Sequence, residues 1–143
     1  MAGKYIFYDL ETTGRGKKES AKAFGTTPKW EQILQIAAIV TDENFQPTNQ
    51  NINIFCRPRS SIIAQPGALI TTDRGIKESL HADLSSYELM KQINSTLDLW
   101  KKDNPDCVFI GHNSINFDET VLEYKLFSNL FYPYPTRAKR GDT

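Results

Sequence analysis

Cysteine is scarce in this 143-residue chain: Cys56 and Cys107 are its two, far apart, which excludes a Cys-x-x-Cys metal or redox pair. Each borders or joins an apolar run and reads as a reduced core thiol. An excess of either charge is missing too, since 17 basic residues face 17 acidic ones. Any attraction to a polyanion must therefore be local rather than a field of the whole molecule. No apolar run approaches the length of a membrane span, and Met1 leads into an apolar strand without a charged leader or cleavage site, so the expected location is the cytoplasm. Repeats, linkers and low-complexity tracts are absent as well. With 39% hydrophobic and 24% charged residues, the composition is that of a globular chain, long enough for one domain over residues 1–143 and too short for two.

Basic residues do cluster locally. Arg15, Lys17, Lys18 and Lys22 crowd a polar segment running from Arg15 to Lys29, and Arg137, Lys139 and Arg140 crowd the end. Both groups are open to two readings, a solvated loop or a phosphate contact.

Four segments have strand character. Lys4 to Leu10, KYIFYDL, reads as a strand buried on both faces. Ile33 to Thr41, ILQIAAIVT, and Asn51 to Arg57, NINIFCR, flank a turn-forming DENFQPTNQ and read as an antiparallel pair. Asp106 to His112, DCVFIGH, reads as a buried strand of the parallel kind. Between the last two, Ser85 and Glu88 form a capping box, followed by Leu89, Ile93, Leu97 and Trp100 at helical spacing, which predicts a helix with an apolar core stripe. Asn116 and Glu119 cap a further helix reaching Leu126. The pattern predicts an α/β domain with a mixed sheet, three antiparallel strands followed by a parallel fourth.

Residues two apart on a strand share a face, so Asp9 and Glu11 present two carboxylates side by side at the end of the first strand. Like charges so close repel, and hard oxygen donors of this kind suit Mg²⁺ or Mn²⁺. Asp118 lies in the first turn of the helix behind the fourth strand. If that strand runs parallel beside the first, the carboxyl ends of both open onto one crevice, where α/β sheets place their sites. Three carboxylates gathered there could hold two divalent ions about 3.5–4 Å apart for in-line phosphodiester cleavage.

FYDLETTG resembles the first exonuclease motif of the DnaQ-like (DEDD) 3′→5′ exonucleases, and GHNSINFD resembles the second. FCRPRSSIIAQPGALITT and NLFYPYP are similar to segments of the exonuclease I branch, so the likeness runs from Tyr5 to about Thr143. It implies a ribonuclease H-like sheet and removal of nucleoside monophosphates from the 3′ end of single-stranded DNA. Carried over by position, Asp9, Glu11 and Asp118 would be the catalytic metal ligands, with Glu11 also near the terminal 3′-hydroxyl. Thr12 and Thr13 would sit by the terminal nucleotide, Ile70 and Thr71 would approach its base, and Asn113 and Phe117 would shape the pocket. Tyr134 would be a base-stacking platform. The family likeness also implies a single-strand-binding protein as partner; oligomeric state is not legible.

The match has gaps. The family's fourth acidic ligand and its general-base His belong to a final helix beyond the second motif, whereas this sequence ends at RGDT, where Asp142 and Thr143 resemble the start of the strand preceding that helix. His81 comes too early to be that base, and His112 belongs to the second motif as a packing or hydrogen-bonding residue. Thr72 and Asp73 stand where relatives often carry Gly. The chain is therefore expected to be a fragment or a shortened protein, inactive or weak alone, since loss of a general base costs about 10²–10⁴-fold. Alternatives are a non-catalytic single-stranded nucleic-acid-binding module, an exoribonuclease of the same superfamily, and an Asp-nucleophile phosphatase, which Glu11 in place of a second Asp disfavours.

Overall fold

A computed structural model of the chain describes residues 3–12, 32–58, 78–111, 118–133, 135, 136 and 140–142, with the backbone alone at 118–120, 140 and 142. Among them, five strands and two long helices follow the order β1 (Tyr5–Thr12), β2 (Ile33–Thr41), β3 (Pro47–Phe55), α1 (Ser86–Asp103), β4 (Val108–Gly111), α2 (Asp118–Ser128) and β5 (Arg140–Asp142). The strands make one sheet in the order β3-β2-β1-β4-β5. β1, β2 and β3 pair antiparallel, β4 lies parallel beside β1, and β5 lies parallel beside β4. This is the mixed sheet expected from the sequence, and β5 forms where RGDT resembles the start of a strand.

β1 differs from the expectation of a strand buried on both faces. Ile6, Tyr8, Leu10 and Thr12 are buried, while Tyr5, Phe7 and Glu11 are half-buried and Asp9 is exposed. Only alternate side chains enter the core, which is the signature of a sheet with one packed face. That packed face takes Ile36, Ala38 and Val40 from β2 and Phe109 from β4 against Leu89, Ile93, Leu97 and Trp100 of α1 and Val121, Leu122 and Leu126 of α2. The helical stripe read from the sequence is thus the core face of α1. Ser85 caps α1 as expected, its side chain accepting from the Glu88 N–H at 3.2 Å, which satisfies one of the orphan donors of the first turn.

Boundaries shift in several places, β1 among them, since it runs from Tyr5 past Leu10 to Thr12. β3 begins at Pro47, so the turn is confined to the residues around Asp42–Gln46, and the polar PTNQ stretch belongs to an exposed edge strand. Asp42 explains the tightness of that turn: its carboxylate accepts from the backbone of Asn44 at 2.8 Å and of Gln46 at 3.0 Å, an Asx-type arrangement. Among the described residues β4 covers Val108–Gly111, starting two residues later than Asp106, and α2 covers Asp118–Ser128, ending two residues beyond Leu126. Cys56 and Cys107 are reduced, buried thiols just outside β3 and β4. Among the described residues, no helix is long and apolar enough to cross a membrane.

Candidate active site

β1 carries two chemistries because its side chains alternate. Tyr8 and Leu10 go into the core, and Asp9 and Glu11 emerge on the opposite face near the carboxyl end of the strand. Across β1 and β2, Asp9 stands opposite Ala37 and Glu11 opposite Gln35, and the pairing shifts register between Glu11 and Thr12. A bulge of this kind beside a site re-aims the last side chains of a strand. Thr12, beyond the shift, is buried at 5% exposure.

The two carboxylates feel each other. Burial pushes the Glu11 carboxyl above its ordinary value, and the like charge of Asp9 pushes it further in the same direction. Both causes penalise the ionised form. A hard divalent cation placed between the oxygens would offset both, so this donor pair fits Mg²⁺ or Mn²⁺.

The carboxylate face continues as a shallow, mainly apolar groove of about 520 Å³, lined by Phe7, Asp9, Ala37, Ile39, Asn51 and Ile110 among others. Phe7 of this lining belongs to an aromatic cluster: Phe45, with a left-handed φ of 61°, lays its ring on Tyr5 at 5.0 Å and meets Phe7 edge-on at 6.1 Å. A positive φ is uncommon for a bulky residue, and the ring contacts offset its cost.

The third carboxylate expected from the sequence belongs to the helix that follows the neighbouring strand. β4 pairs parallel with β1 in the register Tyr5 to Val108 and Phe7 to Ile110, so both strands point their carboxyl ends the same way. Asp118 is the first residue of α2, which follows β4. Asp9 and Glu11 thus lie near the carboxyl end of β1, beside the carboxyl end of the parallel β4, the usual location of an α/β site. Among the described side chains, no group of three or more His, Cys, Asp or Glu residues gathers around a common point; the side chain of Asp118 lies outside that set. Thr13, Ile70, Thr71, Asn113, Phe117 and Tyr134 fall outside the described residues, as do His112 and the basic segment from Arg15 to Lys29.

Two polar residues of this face carry no sequence signal of their own. Gln35 stands beside Glu11, and its side-chain amide donates to Asn53 Oδ1 at 2.6 Å. Neither is charged, and each sits inside a strand, so only the strand register reveals their neighbourhood.

With that geometry in place, comparison with known proteins becomes decisive. The family model RNase_T, described as an exonuclease, matches residues 6–143. The chain belongs to this exonuclease family. Among curated relatives it is similar to exodeoxyribonuclease I of Escherichia coli K12, with 26% identity over 130 residues covering 91% of this chain and 24% of the relative. Exodeoxyribonuclease I of Haemophilus influenzae is 25% identical over 122 residues, covering 85% of this chain and 25% of the relative. The chain thus spans about a quarter of the length of the curated relatives it matches.

Solved structures agree on the fold. E. coli exonuclease I in complex with a dT13 oligonucleotide superposes with a TM-score of 0.77 at 23% identity, over 99% of this chain and 28% of that one. The zinc-bound form of the E. coli exonuclease I–single-stranded DNA complex gives 0.76 at 22% identity, over 100% and 28%. An exonuclease I complex with SSB-Ct gives 0.78 at 23% identity, over 99% and 28%. The sheet is that of the ribonuclease H-like exonucleases.

Proposed function

We propose that residues 1–143 form part of a single exonuclease domain whose reaction is the metal-dependent hydrolysis of single-stranded DNA from its 3′ end to nucleoside monophosphates. One observation carries this reading: Asp9 and Glu11 leave the same face of β1 at the edge where parallel β4 leads to Asp118. The relatives' name and the solved complexes with single-stranded DNA support the substrate.

In this mechanism Asp9, Glu11 and Asp118 hold two Mg²⁺ or Mn²⁺ ions. Bound there, the ions supply water activation and stabilisation of the leaving oxygen during in-line cleavage. The chain's own residues do the rest. Glu11, half-buried and beside Asp9, also faces the terminal 3′-hydroxyl. The buried Thr12 side chain leaves its main chain, with Thr13, to border the terminal nucleotide. Ile70 and Thr71 approach the base, Asn113 and Phe117 shape its pocket, and Tyr134 stacks on a base further along the strand. A cytoplasmic location and a single-strand-binding protein as partner belong to the same reading, the latter supported by the exonuclease I complex with SSB-Ct.

The test uses a 5′-labelled single-stranded oligonucleotide and the Mn²⁺ affinity of the protein. At most weak metal-dependent shortening from the 3′ end is expected, with Asp9→Asn lowering Mn²⁺ affinity at least tenfold, since loss of even an outer-shell partner of a metal ligand typically costs about 10–100-fold. Unchanged Mn²⁺ binding in Asp9→Asn would refute the ligand assignment, and strand binding with no affinity for Mn²⁺ would favour a non-catalytic module.

A further inference from the structure

The face that presents Asp9 and Glu11 also carries a neutral amide pair whose placement is not explained by packing. Gln35 is half-buried and stands directly opposite Glu11 across the β1–β2 pair, while Asn53, exposed, stands opposite Ala37 across the β2–β3 pair. Residues opposite one another in antiparallel strands share a face, with their Cβ atoms about 4.5–5.5 Å apart. Glu11, Gln35 and Asn53 therefore step across three strands on one side of the sheet. The last step is fixed by the 2.6 Å bond from Gln35 Nε2 to Asn53 Oδ1.

Resting on the functional reading above, we propose that Gln35, held by Asn53, is a positioning residue for Glu11, keeping its carboxylate turned toward Asp9 and the divalent cation. The chemistry at this position explains the choice of residue. Glu11 is half-buried, stands next to another acid, and precedes a register shift, so the residue opposite it bears on how its carboxylate is turned. A lysine opposite it would neutralise the carboxylate and compete with the cation. An apolar residue would deny it a polar neighbour. A carboxamide supplies a dipole without charge, and a long glutamine tied at its tip has already lost the rotamer freedom that it would otherwise lose on meeting Glu11. Groups that orient metal ligands in this way typically change metal affinity by about 10–100-fold when removed.

The experiment measures Mn²⁺ affinity by calorimetry or by the Mn²⁺ paramagnetic resonance signal in the 143-residue chain, with the near-ultraviolet circular dichroism of each variant as the folding check. Gln35→Leu is expected to weaken Mn²⁺ about tenfold, and Asn53→Ala, which leaves Gln35 in place but frees its tip, about threefold. Asn53 is exposed, so this second variant reports even if Gln35→Leu does not fold. The decisive measurement repeats Gln35→Leu, or Asn53→Ala, in a Glu11→Gln background. If Gln35 acts through Glu11, the additional loss disappears there; a loss of the same size in both backgrounds marks a merely structural residue and overturns the inference. Unchanged affinity in both single variants overturns it as well, while sensitivity to Asp9→Asn leaves the carboxylate site standing. Failure of the wild-type chain to bind Mn²⁺ at all removes both readings together.

Discussion

The two faces of β1 are made by neighbouring residues of one strand, yet they obey different physics. On the packed face Ile6, Tyr8 and Leu10 are 0%, 7% and 4% exposed and are surrounded by apolar side chains from both helices. On the other face Tyr5, Phe7 and Glu11 are half-covered, Asp9 is exposed, and two like charges are adjacent. The first face lowers the free energy of the fold. The second holds an arrangement that folding alone does not favour, which is where catalytic chemistry is commonly found.

The largest expected effect is on the packed face. Ile6→Ala removes a fully buried side chain and should cost about 2–5 kcal/mol, through lost transfer free energy and the cavity left behind. Denaturant unfolding measures it, and a loss below about 1 kcal/mol would mean that the two faces are less different than the burial indicates.

Asn104 sharpens the contrast from the polar side. It is 2% exposed, yet its Oδ1 accepts from the Gly3 N–H and its Nδ2 donates to Gln50 Oε1 at 3.0 Å and to the Trp100 carbonyl at 2.9 Å. Its backbone N–H also closes α1 on the Trp100 carbonyl. Gly3 is built into this joint, because a Cβ there would come within 2.1 Å of Val40 Cγ1. The polar groups of Asn104 are thus paired, whereas Asp9 and Glu11 face a like charge. Asn104→Ala leaves a buried N–H without its acceptor, and a loss of about 1–3 kcal/mol in the same unfolding experiment is expected.

The difference between the faces also explains which features are legible in the amino-acid sequence. α1 is legible because the Ser85 and Glu88 cap and a helical apolar period point to the same boundaries. The carboxylate pair is legible because strand geometry alone puts residues two apart on one face. The half-open side of β1 is hidden, since Tyr5 and Phe7 extend the apolar run although they occupy the half-covered face. β3 starts four residues ahead of its apolar alternation because Pro47 to Gln50 are polar and belong to an edge strand. Gln35 and Asn53 give no signal for a deeper reason: their relation to Glu11 depends on strand register, which is set by tertiary packing.

The smallest expected effect separates the faces by pH. Burial and Asp9 raise the folded-state pKa of Glu11, so without metal the native state holds this proton more tightly than the unfolded chain does. Stability must then fall as pH rises from the unfolded carboxylate value, about 4.3, through the higher folded one. Glu11→Gln removes that titration. In metal-free buffer the variant should gain melting temperature relative to wild type at pH values above the folded-state pKa of Glu11, and the relative gain should diminish as pH is lowered below the ordinary carboxylate value. Mn²⁺ should reverse the order at high pH by stabilising only the chain that binds it. Parallel metal-free melting curves for the two proteins across that range would show that the open face carries no electrostatic cost, whereas diverging curves closed by Mn²⁺ would show that the cation offsets it.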